Sequence, residues 1–420
     1  MKPPTFVLGL GVSGRASAAF LLSRGMRVVG ADREVERLRG EQPIQELVKR
    51  GMELVSDSLP LGVCDQLILS PGIPSTHRWV QEAKGRGVEV VGEVELALRH
   101  VKNRCVAITG SNGKTTTVSL LVHLLQKAGR RARALGNIGA SVSEYLLQPD
   151  EEEILVVELS SFQLETVESR VFEAGAVLNI TPNHLNWHPD MHSYARAKAR
   201  MKKCVKEGGK LFVSEQVARE FGHLLGEFAV FDEKIVAWKS DVSYIRRGLP
   251  ERESVQAAFA FAKHLGLNLE QCRRDLESFQ KPPHRIEWVR DREEVSYFND
   301  SKASNVHAVL HAVSLFEDPL ILLAGGVHKG ASYELWREPF QSKVKRIIAF
   351  GEASRQMEAE LSSHLSVSRV SHLEEAVQEA SGKAKRGDVV LLSPGCSSYD
   401  QFRSFEHRGE EFKRIVRCLP

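Results

Sequence analysis

The 420-residue sequence has few cysteines, and none of them forms a CxxC pair. This spacing argues against a zinc knuckle and favours free thiols in a reducing compartment. No run of about 18 apolar residues occurs, so we expect no membrane span. The apolar stretch Phe6–Gly11 is too short and too rich in glycine for a signal peptide. We therefore expect a soluble cytoplasmic protein.

The sequence also lacks an excess of one charge and has few aromatic residues. Lys and Arg total 57 against 54 Asp and Glu, and aromatic residues make up 7% of the chain. A nucleic-acid-binding protein usually carries a basic stripe, so we expect no nucleic-acid partner. Apolar residues make up 42% of the chain, which is enough for several hydrophobic cores. At about 150 residues per domain, this length is compatible with about three domains.

Short apolar runs repeatedly end in glycine or serine and give way to helical periodicity. Thr5–Leu10 precedes such a loop, as do Arg104–Thr109 and Pro319–Ala324. This alternation predicts an α/β protein with parallel sheets, whose ligands lie beyond the carboxyl ends of the strands. We predict a Rossmann-like N-terminal domain, a central P-loop ATPase-type parallel sheet and a Rossmann-like C-terminal domain. The expected domains span residues 1–93, 94–281 and 282–420.

A glycine-rich loop predicts a nucleotide triphosphate site. Thr109–Thr116 reads TGSNGKTT between a predicted strand and a predicted helix. Backbone N–H groups of such a loop point at phosphate oxygens, Lys114 reaches the outer phosphates, and Thr115 or Thr116 can bind Mg²⁺. Ile108 stands where the full P-loop pattern has its first glycine, so the loop is a shorter variant. The expected nucleotide-binding residues here are Gly110, Ser111, Asn112, Gly113, Lys114, Thr115 and Thr116.

A carboxylate follows a neighbouring apolar run. Glu158 ends the stretch that begins at Ile154. A phosphate-loop enzyme needs a Mg²⁺ ligand at such a strand end. We therefore expect Glu158 to bind the metal ion.

A second glycine loop lies near the N-terminus. Gly9–Gly14 fits GxGxxG, and Asp32 follows a second β-like run, which together form a dinucleotide fingerprint. The helix N-terminus in such a loop accepts any diphosphate, including that of a UDP-sugar. An NAD-dependent oxidoreductase and a tight strand–helix turn without ligand both stay open as alternatives.

Six blocks in order along the chain resemble the Mur ligases. They are Gly110–Thr116, Glu158–Glu165, Asn179–His184, Pro283–Arg285, Asn299–Asn305 and Ser393–Phe412. The resemblance implies three domains that hold a UDP moiety, ATP with Mg²⁺, and an amino acid. It implies that ATP phosphorylates the terminal carboxylate of UDP-N-acetylmuramoyl-L-alanine and that the amine of D-glutamate then attacks, in peptidoglycan precursor synthesis. We expect the enzyme to act as a monomer.

The resemblance also implies catalytic and metal-binding roles. Lys114 would hold the outer phosphates, and two Mg²⁺ ions would be bound by Thr115, Glu158, His184 and Lys198. Lys198 matches the carbamylated lysine of the family. An ammonium group would repel Mg²⁺, whereas a CO₂ adduct offers an anionic oxygen ligand. Among the nearby histidines, we assign only His184 to the metal, because Pro189 interrupts the helix that would align them.

Further site residues follow from the same resemblance. Those expected at the UDP-substrate are Gly11, Ser13, Gly14, Asp32, Ser70, Gly72, Asn137 and Gln163. Those expected to reach the nucleotide from the third domain when the domains close are Arg285, Asp300 and Lys302. Those expected at D-glutamate are Ser304, Lys329, Ser398 and Phe405.

The sequence departs from the family pattern at two places. Gln256 stands where an asparagine near the adenine is usual, and we expect its amide to take that role. Val327 and His328 precede Lys329 where an acidic residue and a glycine are common, and we expect His328 to be incidental. The alternatives are another amide ligase such as a folylpolyglutamate synthase, or a non-catalytic nucleotide-binding protein. The absence of an Asp-Asn-Pro-Arg motif favours D-glutamate over meso-diaminopimelate.

Overall fold

A computed structural model of the chain describes residues 2–184, 187–232 and 246–420. These residues form two compact units. The first unit comprises residues 2–180, 187–232 and 256–272, and the second comprises 181–184, 246–255 and 273–420. None of the helices in the described ranges has the length and apolar character that crossing a bilayer requires.

The first sheet is parallel and has its switch point at its centre. Its order is β3-β2-β1-β4-β5, so the direction of strand order reverses between β1 and β4. A crevice for ligands lies outside the carboxyl ends of strands at such a point. The strands are β1 Thr5–Leu8, β2 Val28–Asp32, β3 Glu53–Ser56, β4 Gln66–Leu69 and β5 Glu89–Gly92. The helices are Val12–Ser23, Val35–Leu38, Gln42–Lys49, Arg78–Gly85 and Glu93–Leu98.

The second sheet is also parallel, with the order β11-β10-β9-β6-β8-β7. Its strands Cys105–Thr109 and Ile154–Glu158 are buried along their whole length, as expected of strands covered on both faces. The strands are β6 Cys105–Thr109, β7 Ala132–Gly136, β8 Ile154–Glu158, β9 Phe172–Val177, β10 Val205–Val213 and β11 Ala229–Val230. The helices up to residue 276 are Lys114–Lys127, Val142–Tyr145, Ser161–Leu164, Met191–Ala199, Met201–Cys204, Glu215–Phe221, Arg252–His264 and Leu269–Leu276.

The first two sheets share one unit because a hydrophobic core and two buried carboxylates connect them. Side chains of both sheets, such as Val7 and Leu155, belong to the same buried cluster. Glu93 accepts a hydrogen bond from the Ser143 N–H at 2.9 Å. Glu95 accepts from the backbone N–H of Ser169, also at 2.9 Å. These contacts satisfy backbone donors at the junction.

The third sheet is mixed, with the order β12-β13-β17-β14-β15-β16. Five strands are parallel, and the edge strand β12 runs antiparallel to β13. The strands are β12 Glu287–Arg292, β13 Val295–Asn299, β14 Leu320–Gly325, β15 Val344–Phe350, β16 Val367–Arg369 and β17 Val389–Leu392. The helices are Val306–Ser314, Arg337–Phe340, Ser354–Leu361, Leu373–Lys383 and Phe405–Cys418.

The antiparallel edge differs from the parallel arrangement that the sequence predicted. The turn between β12 and β13 consists of Glu293 and Glu294, with φ angles of 51° and 59°. Two positive φ angles are those of a type I′ hairpin, which usually contains Asn and Gly. Because two glutamates occupy the turn here, the hairpin carries no sequence signal.

Candidate active site

The glycine-rich loop connects β6 to the helix Lys114–Lys127 in the predicted strand–loop–helix order. Gly113 has a φ of 78°, a left-handed conformation that favours glycine. A Cβ atom on Gly110 would lie 2.9 Å from the Leu178 Cβ, so the backbone here approaches its neighbour closely. The Lys114 ammonium group donates to the Gly110 carbonyl oxygen at 2.9 Å and to that of Ser111 at 3.1 Å. The lysine therefore lies over the loop.

An asparagine after β9 supports the other side of this loop. The Asn112 N–H donates to Asn179 Oδ1 at 2.8 Å, and the Ser111 N–H donates to the Asn179 backbone oxygen at 2.9 Å. Asn179 begins the block Asn179–His184, but its residue type alone predicts no role. Its position after the strand adjacent to β6 was the available signal, because neighbouring parallel strands end at the same edge.

Glu158 lies at the end of β8 and is only 1% exposed. The Thr115 hydroxyl donates to its Oε2 at 2.9 Å, and the Asn137 amide donates to its Oε1 at 2.8 Å. Thr116 is buried, and of the two threonines it is Thr115 whose hydroxyl donates to the Glu158 carboxylate. A carboxylate beside a hydroxyl forms an oxygen-rich site of the kind that Mg²⁺ prefers.

Lys198 is buried in the same region, on the helix Met191–Ala199, and is 1% exposed. Its Nζ donates to the Gly110 carbonyl oxygen at 2.9 Å and lies 4.7 Å from the centre of the Tyr194 ring. Burial, reinforced by the nearby charge of Lys114, holds the pKa of Lys198 well below its usual range, although Glu158 opposes this shift. The side chain is therefore not a solvated surface lysine.

The histidines near this helix are in different environments. His184 is exposed, has a φ of 56° and belongs to the second unit. His188 is 2% exposed, and its Nε2 lies 2.9 Å from the Ser161 hydroxyl oxygen. Among the expected metal ligands, the structure thus brings together Thr115, Glu158 and Lys198 within the first unit.

The first glycine loop, Asp32 and Ser70 meet at the switch point of the first sheet. The Ser70 hydroxyl donates to the Gly9 carbonyl oxygen at 2.6 Å, and Asp32 accepts from the Leu10 N–H at 2.8 Å. A Cβ on Gly14 would lie 1.8 Å from the Gly9 oxygen, so only glycine fits there. The remaining expected residues of this loop region are the exposed Gly11 and Gly72 and the half-buried Ser13.

Two glutamines expected to contact ligands, Gln163 and Gln256, lie in the first unit and on helices. Gln163 is 5% exposed, and its Oε1 accepts from the backbone N–H and the hydroxyl of Ser160 at 2.9 and 3.0 Å. This side chain therefore caps the short helix Ser161–Leu164. Gln256 is also buried, on the helix Arg252–His264.

In the second unit, the loops after β14 and β17 converge on a buried arginine. Arg408 is 0% exposed, and its guanidinium donates to the carbonyl oxygens of Gly325, Cys396 and Ser301 at 3.3, 3.2 and 2.9 Å. Burial lowers the pKa of Arg408 to about 10. Its position was not predicted, because backbone carbonyl acceptors leave no pattern in the sequence.

The four residues expected at D-glutamate belong to the loops after β13, β14 and β17 and to the helix Phe405–Cys418. The Lys329 ammonium group donates to the Ser304 hydroxyl oxygen at 3.2 Å. Ser398 is buried, and Phe405 opens the helix Phe405–Cys418. The Lys302 Nζ lies 3.9 Å from the centre of the Phe405 ring.

Asp300, expected at the nucleotide, is buried at the end of β13. It accepts a hydrogen bond from the Ser393 hydroxyl at 2.9 Å. Burial raises the pKa of Asp300 to about 7, against the opposing effects of Ser393, Arg285 and Lys281. Arg285 therefore acts electrostatically on Asp300, as expected if both belong to one site.

Comparison with known proteins decides the family. Residues 4–92 match the Mur ligase MurD-like N-terminal domain, 108–230 the Mur ligase middle domain, and 284–396 the Mur ligase glutamate ligase domain. The chain belongs to the Mur ligase family. It is 40% identical to the UDP-N-acetylmuramoylalanine--D-glutamate ligase of Protochlamydia amoebophila, over 98% of this chain and 97% of that protein. It is 38% identical to the protein of the same name from Chlamydia caviae, over 98% and 96%.

Solved structures agree with this Mur ligase in fold. The MurF ligase of Thermotoga maritima, solved in complex with ADP, superposes with a TM-score of 0.62 at 17% identity, over 99% of this chain and 98% of that one. The three-domain α/β prediction is thereby confirmed. The family match over residues 4–92 also decides against a nicotinamide oxidoreductase.

Proposed function

We propose that this Mur ligase joins D-glutamate to UDP-N-acetylmuramoyl-L-alanine at the expense of ATP. The observation that carries the proposal is the 40% identity, over nearly the full length of both chains, to a ligase named for this reaction. The cluster of Lys114, Glu158 and Lys198 around the glycine-rich loop supports it. Such a cluster suits phosphoryl transfer, which depends mainly on positioning and charge neutralisation.

The proposed chemistry has two steps. A carboxylate is a poor electrophile, so the terminal carboxylate of the UDP-substrate first takes the γ-phosphoryl group of ATP, and ADP leaves. The amine of D-glutamate then attacks the acyl carbon, phosphate leaves, and the nitrogen loses a proton as the amide forms. The Lys114 ammonium group, together with loop N–H groups other than those of Ser111 and Asn112, which donate to Asn179, would bind the phosphate oxygens.

The residues around Glu158 fit Mg²⁺ and a carbamylated lysine. Glu158 and Thr115 offer the oxygen ligands that a hard cation prefers. The low pKa of buried Lys198 favours its neutral amine, the form that combines with CO₂. We propose that Thr115, Glu158, His184 and carbamylated Lys198 bind two Mg²⁺ ions, which would neutralise phosphate charge.

The remaining roles rest on the sequence resemblance and the family match. We propose domains at residues 1–93, 94–281 and 282–420 for the UDP-substrate, ATP and the amino acid. Asp32, Ser70 and the first glycine loop would bind the UDP moiety, with Asn137 and Gln163 near the muramoyl group. The nucleotide would be contacted by Gln256, Arg285, Asp300 and Lys302. D-glutamate would be bound by Ser304, Lys329, Ser398 and Phe405. We further propose that the enzyme works as a monomer in the cytoplasm.

Phosphate release from ATP tests this proposal. The assay would supply the UDP-substrate with a panel of D- and L-amino acids, and each mixture would be repeated without the UDP-substrate. Release that needs both the UDP-substrate and D-glutamate is the expected result. Release with a different amino acid would reassign the specificity, and no release with any combination would overturn the ligase activity.

A further inference from the structure

The loop that carries Lys329 is anchored by the histidine that precedes it. His328 Nδ1 lies 2.9 Å from the Tyr333 hydroxyl oxygen, and His328 Nε2 lies 3.4 Å from the Gln356 amide nitrogen. Tyr333 is 0% exposed, and its ring centroid lies 5.1 Å from that of His328. These contacts are a reason to revise the expectation that His328 is incidental.

The donors and acceptors around His328 fix its tautomer. The Gln356 amide nitrogen also lies 2.7 Å from Glu360 Oε1, and a carboxylate only accepts, so the nitrogen of that amide faces this side. Gln356 therefore donates to His328 Nε2, which leaves the ring proton on Nδ1. His328 then donates to the Tyr333 oxygen, and the Tyr333 hydroxyl donates to Cys396 Sγ at 3.0 Å.

This chain of hydrogen bonds ends at the opposite loop of the proposed amino-acid site. Cys396 is 0% exposed, its carbonyl oxygen accepts from Arg408, and it precedes Ser398 by two positions. Val327 and Ser397 also exchange two backbone hydrogen bonds, of 2.9 and 3.1 Å. The loops after β14 and β17 are thus joined both by backbone and by side chains.

The position of its loop determines where Lys329 can act. Lys329 is exposed, donates to Ser304 at 3.2 Å, and is followed by Gly330, with a φ of 84°. A long side chain beside a glycine loses much conformational freedom when it is ordered. Because the loop is anchored before the ligand arrives, less conformational entropy is lost when the ligand binds.

We propose that His328 is a positioning residue for the amino-acid site. Its contacts with Tyr333 and Gln356 hold the loop so that Lys329 receives a carboxylate of D-glutamate. The inference rests on the proposed function and adds a residue to it that departs from the usual family pattern. Because His328 acts through Lys329, its loss weakens the binding of D-glutamate and leaves phosphoryl transfer unchanged.

Steady-state kinetics of the full-length protein test this role with two substitutions. His328→Leu keeps the bulk and removes the donor, whereas His328→Asn keeps an N–H donor near the position of Nδ1. The Leu variant should raise the KM for D-glutamate about three- to tenfold, the loss expected for one or two hydrogen bonds. Its kcat and its KM values for ATP and the UDP-substrate should stay unchanged, and Asn should restore most of the loss. His364→Leu, at an exposed histidine, is the control.

A second measurement needs no turnover. Acetylation of Lys329 by an amine-reactive reagent, followed by mass spectrometry, should be faster in His328→Leu than in the wild type, with exposed Lys383 as internal reference. Equal increases in all three KM values, or a wild-type KM for D-glutamate with unchanged labelling, would overturn the proposal. A wild-type enzyme that does not use D-glutamate would overturn the proposed function instead. The labelling rate of Lys329 would then by itself test whether His328 anchors the loop.

Discussion

The phosphate-loop site and the proposed amino-acid site each present a lysine, in opposite surroundings. Lys198 is 1% exposed and donates to the Gly110 carbonyl. Lys329 is exposed and donates to the Ser304 hydroxyl. Burial lowers the pKa of both ammonium groups, but only that of Lys198 falls well below its usual range. Lys198 therefore suits chemistry that needs a neutral amine, whereas the more accessible Lys329 suits an anionic ligand.

Lys198→Ala should break the first site and produce the largest effect. The substitution removes the only side chain from which a carbamate oxygen could be supplied at this position, so the rate should fall about 1,000-fold, as for other losses of transition-state charge stabilisation. Phosphate release at saturating substrates measures this loss. Excess bicarbonate or a short carboxylic acid such as acetate should restore part of the activity by returning an anionic oxygen.

Lys203→Ala is the matched control, because Lys203 is exposed five positions away from Lys198. It should retain wild-type activity. Full activity in Lys198→Ala would remove the carbamate from the mechanism. A loss that no added carboxylic acid relieves would leave a structural role for the buried side chain, which the thermal stability of the variant would reveal.

The two sites differ in how far they could be predicted from the sequence. The atoms of the phosphate loop come from one short run, Thr109–Thr116, and from Glu158 on an adjacent strand. A contiguous motif between a strand and a helix can be recognised in the sequence, and it predicts the structure of the loop. The parallel sheets followed from the same alternation of apolar runs and helical segments.

The amino-acid site is assembled from segments that lie far apart in the chain. Arg408 contacts carbonyl oxygens of residues 83 and 107 positions away, and any residue type supplies a carbonyl. His328 acquires its role from Tyr333 and Gln356, which no spacing rule connects. The Glu293–Glu294 turn likewise gave no indication of its hairpin. Tertiary contacts, more than local pattern, define these features.

The two sites also differ in their buried carboxylates, Glu158 and Asp300, and the substitution Asp300→Asn tests this difference. Glu158 accepts from two side chains, Thr115 and Asn137, whereas Asp300 accepts from the Ser393 hydroxyl. Because burial raises the pKa of Asp300 from 3.8 to about 7, its contribution to stability is fully present below about pH 4. The contribution is lost as the pH rises towards 7. Relative to Asp300→Asn, the wild type should lose about 4 kcal/mol of unfolding free energy over this range, at about 1.4 kcal/mol per pKa unit.

Denaturant unfolding of both proteins between pH 4 and pH 8 measures this difference. Ser393→Ala is an informative partner, because the Ser393 hydrogen bond lowers the Asp300 pKa. Its removal should shift the loss of stability to higher pH. Parallel stability curves for the wild type and Asp300→Asn would show that Asp300 does not titrate in this range.

Lys329→Met should break the second site with the smallest effect of the three. Methionine keeps most of the length and apolar surface of lysine but removes the charge that would meet a carboxylate of D-glutamate. A hydrogen bond to a charged group contributes about 1.5 kcal/mol or more, so the KM for D-glutamate should rise at least about tenfold. The KM for ATP should stay unchanged, and exposed Lys383→Met is the control. An equal rise in both KM values would instead show that the substitution destabilises the protein as a whole. The two lysines would then differ only in their burial.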